Sequence, residues 1–227
     1  MKLLVTLVVV VLASLVAIGF FIRAHRKNAR VPLDVQLAAF EHLGLRLRPG
    51  VTKEDLFNIW PLESLEKFPY QYLYSAFGDC DEMDENAHFS DRIWYFDTEG
   101  VIEELEYDKL LANIARISGG DLKISNIKTE YKEDETDPVA IVTFELNGSR
   151  FNWTIHQYTD WNSAAFLTPI NSYAQKHGLR GRLVWNRSWG QDWALGWHTP
   201  EQIKGLQELG VTIEEVSPTI TARPREK

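Results

Sequence analysis

The stretch VAIVTFELNGSRFNWTIHQY, residues 139–158, decides the fold of this chain of 227 residues. Asn147-Gly148 at its centre is typical of a two-residue hairpin turn, because both residue types readily adopt positive φ. Apolar and polar residues alternate on either side, with the period of two that indicates a strand with one buried face. We therefore predict that Val139–Leu146 pairs antiparallel with Arg150–Tyr158.

The rest of the C-terminal half mixes further strands with two helices. Thr199-Pro200 is typical of a helix start, since threonine caps the first turn and proline tolerates its first position. The other predicted elements are a strand from Leu122 to Tyr131, a helix from Asp160 or Asn162 to Lys176, strands at Arg182–Trp185 and Trp193–Trp197 around an exposed loop at Asn186–Asp192, a helix ending at Gly210, and a strand at Val211–Val216.

The N-terminal half has fewer strand signals and more helical ones. Alternation of Tyr70, Tyr72 and Tyr74 with other residues predicts a strand that ends at Gly78. The other predicted elements are helices at Leu33–Leu43, Thr52–Ile59 and Tyr107–Ile117, a surface loop at 79–91, and strands at Arg92–Asp97 and Val101–Leu105.

This order of elements lacks the regular strand–helix–strand alternation of a parallel sheet. The predicted fold class is therefore α+β, with mostly antiparallel sheets and packed helices, preceded by one N-terminal transmembrane helix. A boundary near Ser118 divides the chain into an N-terminal module, 31–118, and a C-terminal module, 119–216, each of ordinary domain size. Residues 217–227 are predicted to be a disordered tail.

The N-terminal segment predicts the location of the protein. Leu3–Ile22 contains no charge and is long enough to span a bilayer core of about 30 Å. Residues 1–30 are thus interpreted as a membrane anchor with a basic flank, and the positive residues after the span favour a cytoplasmic soluble domain. The alternative is a signal peptide cleaved after Ala17-Ile18-Gly19, which would make the protein periplasmic or secreted.

Charge and composition exclude several classes of function. Residues 1–30 hold five basic residues and no acidic one, so the rest of the chain has a net charge of −13. This sign argues against a nucleic-acid-binding protein. A single cysteine excludes an internal disulfide framework. No phosphate-binding loop, zinc motif or nucleophile motif occurs, so the sequence predicts no cofactor and no metal, provides no catalytic residue and favours a binding protein over an enzyme.

A dense acidic cluster is the first candidate binding site. It consists of Asp79, Asp81, Glu82, Asp84 and Glu85. The cluster lacks the ladder of Asp and Asn residues, the glycine turn and the closing glutamate of a calcium loop. Complementary charge raises association rates and selects partners, so we predict that this cluster contributes to an acidic face that binds a basic protein.

A tryptophan-rich segment is the second candidate. Trp185, Trp189, Trp193 and Trp197 are spaced by four residues, and Gln191 and Asp192 lie between them. Exposed indoles would form a platform for a sugar or a protein partner, so Trp185, Trp189, Gln191, Asp192 and Trp193 are candidate binding residues. The alternative is that most of these rings pack in the core, since tryptophan is highly buried on average.

Two stretches resemble known families. Arg48–Pro61, RPGVTKEDLFNIWP, resembles the helix-opening segment of small bacterial envelope domains of the outer-membrane assembly lipoprotein and β-lactamase-inhibitor-like type. The second half is similar to bacterial α+β domains, some of them of the toxin-immunity kind; the residues that carry this resemblance are Trp153, Asp160-Trp161, Gly190-Gln191-Asp192 and Thr199-Pro200-Glu201-Gln202. The second resemblance implies a binding role.

Two functional hypotheses follow. The first is a membrane-anchored bacterial protein whose acidic α+β domain binds a protein partner, with an immunity protein that blocks a basic toxin as its most concrete form. The alternative is an envelope-facing glycan-binding module or hydrolase that uses tryptophan and carboxylate side chains.

Overall fold

The computed structural model describes residues 30–81, 84–97, 107–132, 139–156, 167–189 and 192–216. The elements before the middle of the chain are α1 (Leu33–His42), α2 (Lys53–Ile59), α3 (Leu62–Lys67), α4 (Gln71–Gly78), β1 (Cys80–Asp81), β2 (Asp84–His88), β3 (Ile93–Asp97) and α5 (Tyr107–Ile117). The elements after it are β4 (Ile124–Lys132), β5 (Val139–Leu146), β6 (Ser149–His156), α6 (Thr168–Lys176), β7 (Arg182–Trp189), β8 (Asp192–His198), α7 (Pro200–Glu208) and β9 (Glu214–Glu215). Helices packed on antiparallel sheets confirm the predicted α+β class.

The strands form three antiparallel sheets within the described residues. One has the order β3-β8-β7-β9, another has the order β4-β5-β6, and β1 pairs with β2. The four-stranded sheet takes β3 from before the predicted boundary at Ser118 and its other three strands from after it. The division into two modules stays a prediction.

The hairpin that the sequence indicates most clearly is confirmed. β5 pairs with β6 from Leu146 opposite Ser149 to Val139 opposite His156. Asn147 and Gly148 have φ values of 49° and 81°, the positive values that the tight turn requires.

The four-stranded sheet lies between two apolar cores, because the side chains of a strand point alternately to its two faces. On β3, Trp94 and Phe96 face one core, which also contains α5, α6 and the inner face of the three-stranded sheet. Ile93 and Tyr95 face the other core, which contains the N-terminal helices and α7. The second core positions α4 against β3.

The predicted strand at Tyr70–Gly78 is wrong, because residues 71–78 form helix α4. Tyr70 has a φ of 63°, which lies outside the extended region of a regular strand, and its backbone N–H donates to Oε1 of Gln36 at 2.8 Å. Six of the eight helical residues are buried, so the helix has no wide polar face. Without a polar face the helical period of 3.6 is hidden, and the tyrosine alternation indicates the wrong element.

Two predicted loops are also wrong in part. The segment 79–91 contains the β1–β2 hairpin, and its Phe89 is buried and donates its backbone N–H to the carbonyl oxygen of Asp79 at 2.9 Å. Asn186 belongs to β7 and is fully buried, and Asp192 begins β8, so the strands extend further than their apolar residues indicate.

Most other helix predictions are confirmed. Thr52 and Thr199 each begin a helix with the reciprocal hydrogen bonds of a capping box. Helix α5 has the predicted bounds. No helix in the described ranges is both long and apolar enough to cross a membrane. The following predictions fall outside the described residues: the span Leu3–Ile22, the strand Val101–Leu105, the helix start at Asp160 or Asn162, and the tail 217–227.

Candidate binding surface

Within the acidic cluster, the structure describes the side chain of Asp79, which follows α4 and is half-buried. Glu82 lies outside the described residues, and so do the side chains of Asp81, Asp84 and Glu85. Asp79 accepts a hydrogen bond from Nε1 of Trp60 through Oδ2 at 2.8 Å and one from the backbone N–H of Cys80 through Oδ1 at 2.9 Å. These two bonds fix the orientation of the carboxylate.

The tryptophans that the structure describes in the 185–197 segment are core residues. The exposed fractions of Trp185, Trp193 and Trp197 are 1%, 7% and 2%. The rings of Trp185 and Trp193 meet edge to face with centroids 5.0 Å apart, and Nε1 of Trp197 donates to Oδ2 of Asp121 at 2.9 Å. These three indoles stabilise the fold and do not form an exposed platform. The side chain of Trp189 and the whole of Gln191 lie outside the described residues.

Asp192 and Asp79 both interact with a third residue, Tyr95. The hydroxyl of Tyr95 donates to the carboxylate of Asp192, which is half-buried at the start of β8. Burial raises the pKa of Tyr95 well above its usual value, and the hydrogen bond to Asp192 with the negative charges of Asp192, Asp79 and Asp97 raises it further. Three carboxylates therefore act electrostatically on one protonated phenol.

The sheet register explains how two of these carboxylates come together. In the pairing of β3 with β8, Asp97 lies opposite Asp192 and Tyr95 lies opposite Ala194. Tyr95 and Asp97 are two residues apart and so share a face of the strand. Asp97 is the last residue of β3 and Asp192 is the first residue of β8, so both lie at the same end of the paired strands.

Gly78 brings the third carboxylate close to this end of the sheet. A Cβ atom at Gly78 would lie 2.6 Å from the backbone nitrogen of Tyr95 and 2.8 Å from the carbonyl carbon of Trp94. Only a residue without a side chain allows α4 to end this close to β3. Asp79, the next residue, is thereby placed beside Tyr95.

Aromatic rings flank the carboxylates. The ring of Trp60 contacts those of Tyr72 and Tyr95 edge to face, with centroids 5.6 Å and 5.5 Å apart. Phe68, which is 38% exposed, stacks on Tyr72 with centroids 4.8 Å apart. We call the whole surface the acidic–aromatic patch; its residues are Trp60, Phe68, Tyr72, Asp79, Tyr95, Asp97 and Asp192.

A polar network supports the patch from within the fold. Gln71 accepts the backbone N–H of Thr212 through Oε1 and donates from Nε2 to Oδ1 of Asn186, both at 2.8 Å. The first bond fixes the amide orientation of Gln71 and the second fixes that of Asn186. Asn186 pairs with Ala194, which in turn pairs with Tyr95, so the network lies in the same row of the sheet as the phenol. It holds α4 at a fixed distance from β7.

The patch combines negative charge with aromatic faces. The raised pKa of Tyr95 keeps its hydroxyl protonated well above neutral pH, so it acts as a hydrogen-bond donor. In the described ranges no group of three or more histidine, cysteine or carboxylate side chains is arranged to hold a metal ion. Carboxylates beside aromatic faces do suit a guanidinium or ammonium group, which forms an ion pair with the former and a cation–π contact with the latter.

Asp79 and Asp192 are the predicted site residues that the structure brings together. The sequence did not indicate Trp60, Phe68, Tyr72, Tyr95 or Asp97 as site residues. The position of Asp97 was a usable signal for the site. Asp97 ends one predicted strand and Asp192 directly precedes another, and antiparallel pairing of these strands would bring the two residues together. Nothing local indicates Trp60, whose side chain contacts Tyr72, Asp79 and Tyr95 further along the chain.

Comparison with known proteins identifies no relative that would help to interpret this surface. No family model, curated protein or solved structure matches the chain.

Proposed function

We propose that this protein is a membrane-anchored binding protein whose acidic–aromatic patch binds a basic protein partner. The anchor is Leu3–Ile22, and the positive residues that follow it favour a cytoplasmic position for the α+β domain. An immunity protein that blocks a basic toxin is the most concrete form of this proposal.

The observation that carries the proposal is the convergence of Asp79, Asp97 and Asp192 on Tyr95. Grouping like charges is unfavourable unless other interactions compensate for it. Here the hydroxyl of Tyr95 and the indole N–H of Trp60 each donate to a carboxylate and stabilise the group. A cation supplied by a partner would interact favourably with these carboxylates, and complementary potentials would also accelerate the encounter.

The aromatic side chains support a protein partner in particular. Tryptophan and tyrosine are enriched among the residues that dominate interface energies, because they bury a large area and lose few rotamers. The rings of Trp60 and Tyr95 are already held by hydrogen bonds to Asp79 and Asp192, so little side-chain entropy remains to be lost on binding.

Site-specific photocrosslinking tests the proposal. A photoreactive phenylalanine replaces Phe68 or Asp97 in cells that naturally produce the protein. We expect both positions to crosslink to the same protein, identified by mass spectrometry as one with a basic surface. Matched controls are the exposed Ala112 on α5 and Lys128 on β4, which lie on elements of the other core and should give no such product. Crosslinking at the control positions alone, or to acidic proteins, would contradict the proposal.

A further inference from the structure

A groove of about 620 Å³ lies between β6 and α6, among residues that the proposed function does not use. Phe151 and Tyr173 form part of its lining, with ring centroids 5.7 Å apart, and His177 stacks on Tyr173 at 4.1 Å. Ser149 and Ser172 also line it. The lining of the groove therefore combines aromatic and polar residues, which is usual for a ligand-binding cleft.

One edge of β6 beside the groove has no strand paired to it in the described part of the chain. β6 is the last strand of the order β4-β5-β6. Ser149 and Leu146 flank the two-residue turn and form a hydrogen-bonded pair, and such pairs alternate along an antiparallel ladder. The backbone N–H and C=O groups of Arg150 and Asn152, which fall between these pairs, consequently point away from β5. An edge of this kind can pair with an added strand.

The end of the groove at the C-terminus of α6 is basic. Lys176 and His177 are both exposed there, in a protein whose residues after position 30 carry a net charge of −13. Oγ1 of Thr168, at the other end of the helix, is buried and has no hydrogen-bond partner among the described residues. The groove thus has an exposed ammonium group at one end.

We propose that this groove binds an extended peptide segment, which adds as a further strand to the edge of β6 and places a carboxylate on Lys176. The backbone edge supplies hydrogen bonds that do not depend on peptide sequence, and the rings of Phe151 and Tyr173 contact an apolar side chain. Lys176 supplies the charge selection, because an ammonium–carboxylate hydrogen bond is stronger than a neutral one. The ligand class is opposite in charge to the partner of the acidic–aromatic patch, so the two sites select different ligands.

Fluorescence polarisation with synthetic peptides tests this proposal on the full-length protein in detergent. The probe is the tightest-binding member of a fluorescent pentapeptide library with free C-terminal carboxylates, compared with the same peptide amidated at its C-terminus. We expect the carboxylate form to bind about tenfold more tightly, which corresponds to about 1.4 kcal/mol. Lys176→Gln should abolish this difference. Lys204→Gln on α7, which removes an exposed lysine elsewhere, should preserve it.

A second arm tests the added strand without altering the protein. Methylation of alternate backbone nitrogens of the peptide removes the donors that would pair with β6, and we expect one of the two alternating patterns to weaken binding at least about tenfold. Equal binding of both methylation patterns and the parent peptide would overturn the proposal. It would also be overturned if no library member bound, if Lys176→Gln left the carboxylate preference unchanged, or if glucuronic acid or inorganic phosphate bound the groove while the peptides did not.

Discussion

Alanine in place of Gly196 is expected to lower the free energy of unfolding by about 3 kcal/mol or more. A Cβ atom at this position would lie 2.2 Å from the hydroxyl oxygen of Tyr74 and 2.3 Å from Nε2 of His198. Those two atoms are hydrogen-bonded at 2.9 Å, and both residues are fully buried. Neither side chain has space to move, so the substitution adds overpacking to the loss of a buried hydrogen bond.

Chemical denaturation of the full-length protein in detergent measures this loss. Gly205→Ala is the matched control, because its Cβ would meet the flexible end of the Leu43 side chain, and alanine is the better helix former on α7. We expect the control to change the free energy of unfolding by less than about 1 kcal/mol. Equal stability of the two variants would contradict the packing that the structure gives to the Tyr74–His198 pair.

Acid should destabilise the protein through His198. Burial lowers the pKa of this imidazole to about 3, and the positive charge of Arg92 contributes to the shift. In the unfolded chain a histidine has a pKa of about 6.5. Below pH 6.5 the unfolded state therefore binds a proton that the folded state does not, and the free energy of unfolding falls with pH until His198 is protonated in the fold as well.

This effect is expected to reach about 2 kcal/mol between pH 7 and pH 5. His198→Gln removes the titrating group and retains an amide that can hydrogen-bond to Tyr74. The free energy of unfolding of this variant should therefore fall by about 2 kcal/mol less than that of wild type between pH 7 and pH 5. Denaturation curves at several pH values in this window give the difference directly. His42→Gln, which removes an exposed histidine from α1, controls for the loss of a histidine as such. Parallel pH profiles of wild type and His198→Gln would show that His198 is not the group responsible.

The fold could be predicted from the sequence wherever local chemistry determines the structure. Asn147-Gly148 specifies its turn through backbone conformation, and Thr199-Pro200 specifies a helix start through the capping box. Tyr70 shows why the rest could not be predicted. Its positive φ is held by Gln36, a residue on α1 whose amide also donates to the carbonyl oxygen of Leu65 at 3.0 Å. This contact between distant segments leaves no local pattern in the sequence.

The candidate site could also be predicted only in part, because its residues carry local signals but their proximity does not. Asp79 was predicted from the density of acidic residues and Asp192 from its place in a polar stretch, but their proximity depends on the register of β3 with β8 and on the contact at Gly78. The tryptophan spacing of four fits both a surface platform and a core, since it is compatible with one face of a strand or of a helix. For Trp185 and Trp193 the structure shows the core alternative.

The most direct test of the acidic–aromatic patch is the association rate of the crosslinked partner with wild type and with Asp97→Asn/Asp192→Asn. Asparagine keeps an oxygen that can accept the hydroxyl of Tyr95 and removes only the charge. We predict an association rate about tenfold slower for the double variant at low salt, with a wild-type rate that falls as salt increases. Glu41→Gln/Glu208→Gln, which removes the same net charge from exposed positions elsewhere, should stay within about twofold of wild type. Equal rates for the two double variants would contradict the proposed function.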